Sequence, residues 1–399
     1  MPSIILFDDP IIRPQLLPFT YTRPVAAIRC GIHTISQKWE QWLQLPVSFQ
    51  TETYLQSHFP QITTGDNLYI NGALCPDSKL VEELLSLPVE SALYSVGNEV
   101  LAVRTSSPSW TPGIGVEHLA AVTCAGSFVS IRNIWDIFMH NGAQITSDFD
   151  QLTKGVKSSP ITDPYTRCYQ AESIFIEPGA NIKAAILNAE GGPIYIGKNA
   201  IIQEGATIHG PFAMGENSVV AQNAKIRMNT TIGPSCKIGG EVSGSVLFGY
   251  SNKGHDGYLG NSVLGEWCNL GANTNNSNLK NDHSNVKLHS YATNSLKDSG
   301  LTFCGLFMGD YSKAGISTMF NTGTVVGVHV NVFGGGFQPK HIPSFSWGGK
   351  ADGFTEYRFE KAVAVAKDTV HRRGLSFDHT DEDILLEIFN QTRAHRESI

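Results

Sequence analysis

IGKNAIIQEGATIHGPFAMGENSVVAQNAKIRMNTTIGPSCKIGG, residues 196–240, carries an unbroken aliphatic ladder at a spacing of six. Its rungs are Ile196, Ile202, Ile208, Met214, Val220, Ile226, Ile232 and Ile238. A helix repeats near 3.6 residues and a strand at 2, so neither produces this period. A chain that turns a corner every six residues does, with one aliphatic side chain pointing inward per side. Three sides close a triangular coil, and successive coils stack at the β-strand spacing of roughly 4.8 Å. Hexapeptide repeats are the sequence sign of such a parallel β-helix. Small residues recur four positions after a rung (Ala200, Ala206, Ser218, Ala224, Thr230, Cys236), and glycine often follows it directly, as at Gly197, Gly215, Gly233 and Gly239. Both suit tight corners.

Composition agrees with a solenoid-rich globular chain. Its 399 residues predict two or three domains, and 41% hydrophobic with 16% charged content argues against disorder. A net charge of −7 without a dense Lys/Arg run predicts no nucleic-acid partner. Met1–Asp9 turns acidic after a short apolar run and does not read as a signal peptide. No 18-residue apolar stretch predicts a membrane span. The seven cysteines (Cys30, Cys75, Cys124, Cys168, Cys236, Cys268, Cys304) are scattered singly. They read as reduced thiols of a cytoplasmic protein, neither a disulfide frame nor a zinc site.

Residues 1–165 read as an α/β layered domain. Strands are expected at Ser3–Phe7, Asn67–Ile70, Ala92–Val96 and Val100–Arg104, and helices at Ile28–Trp42, Asp77–Ser86 and Ile131–His140. Lys154–Thr166, rich in Ser, Pro and Thr, reads as a linker. The β-helix is expected over 170–345, starting near Ser173 and turning irregular between Glu241 and Gly300. Its register returns at Met308, Ala314, Phe320, Val326 and Val332, and it stops after Gly334–Gly336, a closing turn. Residues 350–399 predict two amphipathic helices, Phe354–Arg372 and Asp381–Arg396, with Thr380 as the N-cap of the second.

The irregular middle holds the chemistry. It reads Lys253-Gly254-His255-Asp256-Gly257-Tyr258-Leu259-Gly260, followed by Asn269-Leu270-Gly271-Ala272 and Asn275, Asn276 and Asn278. A histidine in a glycine-rich loop that interrupts a solenoid is well placed as a general base, because its ordinary pKa suits proton removal near neutrality. A lone histidine is more often a plain surface residue; the break and the polar cluster after it favour function here. For the asparagines the bland reading is corner residues in the left-handed backbone region.

This segment resembles the acetyltransferase half of bacterial GlmU. That family couples glucosamine-1-phosphate N-acetyltransferase to N-acetylglucosamine-1-phosphate uridyltransferase. The resemblance is closer still to the Bacteroidetes-type GlmU-related proteins, whose N-terminal half diverges. It implies an α/β nucleotidyltransferase-like N-terminal domain, a left-handed parallel β-helix and C-terminal helices. It also implies that His255 is the general base and that Arg227, Tyr258 and Asn269 contact the sugar phosphate. Ala272, Asn278 and Lys313 would line acetyl-CoA, with sites built between subunits of a homotrimer. Two positions depart from the family: Ser243 stands where a phosphate-contacting lysine is usual, and Leu279 where a tyrosine is usual.

In the N-terminal half, Leu6–Asp9, Arg13 and Leu17–Pro24 resemble a remodelled nucleotidyltransferase signature without its glycines. Without a backbone nest, Arg13 and Arg23, helped by Arg29, become the candidate nucleotide contacts. Asn71-Gly72 stands where the family places an aspartate for Mg²⁺. The implied activity is a bifunctional sugar-phosphate enzyme that uses acetyl-CoA and, with Mg²⁺, forms a UDP-sugar. The rivals are a nucleotidyltransferase for another sugar 1-phosphate and a non-enzymatic hexapeptide-repeat scaffold.

Overall fold

Ser3–Phe7, an apolar run with β-branched residues, sits inside a six-stranded sheet in the computed structural model, which describes residues 2–397. Across that sheet the order is Val47–Gln50, Ser3–Phe7, Asn67–Asn71, Val100–Thr105, Ser91–Tyr94, Ala120–Thr123. Val100–Thr105 runs antiparallel to its neighbours and the other pairings are parallel. The parallel strands therefore all end on one edge, the edge where open α/β sheets bind ligands. Phe7 and Tyr69 pack on Trp110, with ring centroids 5.0 and 5.1 Å away. Helix α1 spans Ile35–Leu43 and α2 Ser78–Ser86. The first starts seven residues later than expected, because Thr34 and Gln37 close a capping box there. This unit comprises Met1–Ile28 and His33–Ile134.

The second unit, Arg29–Ile32 with Trp135–Ile399, is built on a left-handed parallel β-helix. Its first face stacks strands from Ile174–Ile176 to His341–Ile342, and its second from Asn181–Ile182 to Ser346–Gly349. The third runs from Arg167–Tyr169 to Tyr258–Gly260, and is continued by Asn275–Asn276 paired with Met319–Phe320. All eight rungs of 196–238 are buried inside. Helix α3, Asp136–Thr153, belongs to this unit and lays Ile145 against Phe175, Tyr195 and Ala213 of the first face. The unit boundary thus falls ahead of Lys154–Thr166.

The solenoid is longer and more regular than its sequence suggests. It starts at Arg167 and continues past Gly336 through His341–Ile342 and Ser346–Gly349. Between Glu241 and Gly300 the ladder persists, but two rungs are polar, Lys253 and Asn276, and some corners are shorter. Residues 279–303 leave the coil at one corner and return to it. Cys304 N donates to Asn278 O at 2.8 Å, and the excursion carries the hairpin Lys287–Ser290/Ser295–Asp298. At another corner Tyr250, Trp267, Tyr311, His329 and Phe345 all have positive φ and stack ring on ring.

The C-terminal helices are shorter than expected. Gly353–Glu356 is a strand paired with Ser346–Gly349, and α4 spans Phe359–His371. Helix α5 is His379–Gln391 and α6 is Arg393–Arg396. Asp378, not Thr380, caps α5: its carboxylate accepts from Thr380 N and Asp381 N. A carboxylate outcompetes a hydroxyl for those amides and favours the positive end of the helix.

Candidate functional site

Corner lengths create the groove. Ile238 and Val242 are successive rungs only four residues apart, so Gly239-Gly240 is a recessed corner. One coil on, Lys253 and Leu259 are six apart, so Gly254–Gly257 projects beyond it. The step leaves a groove of ≈ 580 Å³ lined by His255, Asp256, Lys237, Gln222, Ala272 and Asn273 among others. His255 presents an exposed imidazole at its rim. Two glycines make the packing possible. Gly240 (φ 69°) would place a Cβ 2.6 Å from Gly257 O, and at Gly257 (φ 114°) a Cβ would lie 2.2 Å from Thr274 O.

The loop is tied from two sides. Asn273 N donates to Asp256 O at 3.0 Å. The buried Lys253 ammonium donates to Gly239 O at 3.2 Å, to Asp256 O at 3.1 Å and to His255 O. Burial pushes Lys253 down to about 8, partly opposed by Asp256. The sequence reading passed over Lys253 as a site residue. Its signal was available: a lysine on a rung that is aliphatic in the coil before and the coil after.

The expected site residues divide between two faces. Arg227 and Tyr258 stand on the third face, where Arg227 pairs with Glu241 at 2.8 Å. Tyr258 OH accepts from Asn278 Nδ2 at 3.0 Å. Burial raises the Tyr258 pKa, Glu241 adds to that, and Asn278 and Arg227 oppose it. Arg227, Lys225, His209, Thr207 and Ser243 line a second groove of ≈ 690 Å³ on this face, so the Arg227 and Lys225 side chains share it with Ser243. Ala272 shares the first groove with His255. Asn269 and Lys313 lie instead on the second face, in register with each other and with Asn252. Helix α4 reaches this row: Lys313 Nζ donates to Thr369 Oγ1 at 3.4 Å, and Arg373 to Asn252 Oδ1 at 3.2 Å. Burial lowers the Lys313 pKa. Asn275 and Asn276 are not left-handed corner residues; Asn273 is. Their side-chain oxygens accept from Tyr258 N and Gly260 N, bridging coils in place of main-chain pairing.

In the first unit Arg13 and Arg23 are buried. Arg13 pairs with Asp8 at 2.5 Å and donates to Thr20 O and, at 3.3 Å, to Arg23 O. Arg23 donates to Phe19 O at 3.2 Å. Both guanidinium groups hold the loop after the first strand together. Arg29, in the short segment that clusters with the solenoid, donates to Phe248 O at 2.8 Å. Arg132 is an exposed cation at the sheet's ligand edge, paired with Glu99 in a cleft of ≈ 360 Å³ with Ser95, Gly97, Gly126 and Phe128. The donor set there does not fit a protein-held Mg²⁺. Asn71 Oδ1 accepts from Ala73 N, Asp9 Oδ1 accepts from Ile11 N and Ile12 N, and Asp9 Oδ2 accepts from Asn71 Nδ2.

Comparison with known proteins adds family context. A family model described as sugar nucleotidyl transferase matches residues 4–157. A bifunctional protein GlmU of Methanococcus aeolicus is 35% identical over 155 residues, covering 37% of this chain and 37% of that protein. A bifunctional sugar-1-phosphate nucleotidylyltransferase/acetyltransferase of Sulfurisphaera tokodaii is 33% identical over 146 residues, covering 36% of each. The chain thus spans little more than a third of the length of these relatives. Among solved structures, a UDP-N-acetylglucosamine acyltransferase aligns at 12% identity over 49% of this chain and 70% of that one. The TM-score of that alignment is 0.24. Among the described residues no helix is long and apolar enough to cross a membrane.

Proposed function

We propose that the solenoid transfers the acetyl group of acetyl-CoA to the amine of glucosamine 1-phosphate. The observation that carries this reading is the projecting His255 loop, braced from beneath and overhanging a recessed groove. The amine nitrogen attacks the thioester carbonyl carbon, and His255 takes the ammonium proton as the C–N bond forms. The tetrahedral oxyanion then collapses, the C–S bond breaks, and the proton passes to the departing CoA thiolate. Arg227 and its basic neighbours Lys225 and His209 hold the sugar phosphate, Tyr258 orients the sugar, and Ala272 and Asn278 border acetyl-CoA. Asn269 and Lys313 stand on the adjoining face, so a second copy of the chain completes the site and the assembly is a homotrimer. This is the GlmU-like reading, and the divergent first strand–loop segment favours its Bacteroidetes-type branch.

The same reading gives the first unit sugar-1-phosphate nucleotidyl transfer to a UDP-sugar, with Arg132 as its phosphate contact. The deciding experiment follows free thiol from acetyl-CoA with and without glucosamine 1-phosphate, for wild type and His255→Ala. Acceptor-dependent release that drops by about two to four decades in a folded variant is expected. Release that ignores the acceptor, or a variant that matches wild type, overturns the reading.

A further inference from the structure

We infer that Lys253 is the positioning residue of the acetyl-transfer site: its ammonium, held inside the solenoid, fixes the backbone from which His255 projects. The inference rests on the reading of His255 as general base. Lys253 occupies the inner rung of the second face, in register with Ile238 before it. Leu270 holds that rung in the next coil, and Ala314 and Val332 in those that follow. Only 1% of Lys253 is exposed. An ammonium on such a rung carries a desolvation cost that an aliphatic residue avoids. Departures of this kind concentrate where function requires them.

The ammonium's geometry fits a strut. It has three N–H donors, and three carbonyls receive them: Gly239 on the recessed corner, and His255 and Asp256 on the projecting one. The contact therefore locks the step between two coils that forms the groove. Among the described residues no other side chain donates to those carbonyls; the loop's further ties are main-chain bonds, from Asn273 N to Asp256 O at 3.0 Å and from Glu241 N to Gly257 O at 3.1 Å. The ionisable groups sharing the groove are His255, Asp256 and Lys237. Loss of a proton from Lys253 leaves two N–H groups for three carbonyls and removes the charge that strengthens them. Because burial sets that event near pH 8, loop order falls across mildly alkaline pH.

The test uses the full chain and two variants, Lys253→Met, which restores an apolar rung, and Lys253→Gln, which keeps two N–H donors without charge. Hydrogen exchange is read at Asn273 and Glu241, whose amides donate to Asp256 O and Gly257 O of the loop, with 219–224 as the reference coil, alongside acetyl transfer. Lys253→Met is expected to fold and to exchange roughly tenfold or more faster at Asn273 and Glu241 than wild type, with the reference coil unchanged. Its kcat should fall about 10- to 100-fold with the KM for acetyl-CoA within about twofold, and Lys253→Gln should lie between. Wild type should lose loop protection between pH 7 and 9 beyond the intrinsic base-catalysed rise, and Lys253→Met should show no such step. Wild-type protection and kcat in Lys253→Met overturn the inference. If that variant does not fold, Lys253→Gln decides by the same criteria. If wild type transfers no acetyl group, the functional reading fails while the exchange comparison still decides whether Lys253 holds the loop.

Discussion

His329 offers a sharp test of the solenoid's energetics. It lies at a corner with 1% exposure, stacked between Tyr311 at 4.7 Å and Phe345 at 5.4 Å. Its Nε2 has no hydrogen-bond partner among the described residues. Burial, reinforced by the Lys313 charge, lowers its pKa from 6.5 to about 3. Between those values the unfolded chain binds a proton that the folded chain refuses. Its contribution is therefore at its fullest above pH 6.5 and declines as pH falls, at about 1.4 kcal/mol per unit. From pH 6.5 to 5.0 the expected loss is about 2 kcal/mol from this residue alone. His329→Phe extends the ring stack and removes the unsatisfied nitrogen. Urea unfolding followed by far-UV circular dichroism at pH 7.5 and 5.0 measures the effect. His289 and His341, lowered to about 4 and about 3, weaken both proteins alike, so the difference isolates His329. The variant should gain about 2 kcal/mol on wild type at the lower pH. Curves that decline in parallel would refute the reasoning.

Other outcomes follow from the same geometry. Ile232→Ala, which empties a fully enclosed rung, should cost about 2–5 kcal/mol in urea midpoint analysis. Arg132→Ala should cut pyrophosphate release from UTP and N-acetylglucosamine 1-phosphate at least tenfold with stability unchanged. Arg23→Ala should instead lower the melting temperature of the first unit, because it strips a buried carbonyl of its donor. Light scattering at micromolar concentration should give three times the chain mass, and a monomer mass would remove the shared-site reading.

The ladder of 196–238 was legible because every rung is aliphatic and every corner full length. Legibility failed where one of those conditions did. Lys253 and Asn276 sit on rungs but look like loop residues, and the shortened Gly239-Gly240 corner shifts the phase by two. Periodicity alone therefore reports irregularity where the coil is intact. Arg13 and Arg23 show the opposite limit. Charge and position suggested phosphate contacts, yet the nearby carboxylate of Asp8 and the free carbonyls of Phe19 and Thr20 claim both groups. A linear sequence does not reveal which carbonyls the fold leaves without donors. His255 and Tyr258 stood out by their place in the break, and the structure puts His255 at the rim of a groove and Tyr258 on the third face. That Asn269 and Lys313 belong to another face follows only from counting rungs through polar positions.

The excursion 279–303 leaves and re-enters the solenoid at a single hydrogen-bonded corner, Asn278 to Cys304. In genetic terms that corner is an insertion port. The excursion also packs on later coils, where His289 stacks on His341 at 3.6 Å and Lys340 Nζ donates to Lys287 O at 2.6 Å, so an exchanged segment has to keep those contacts. Solenoids with such ports can acquire new surface by splicing in cassettes rather than by altering their repeats, while the groove beside the His255 loop is framed by other corners.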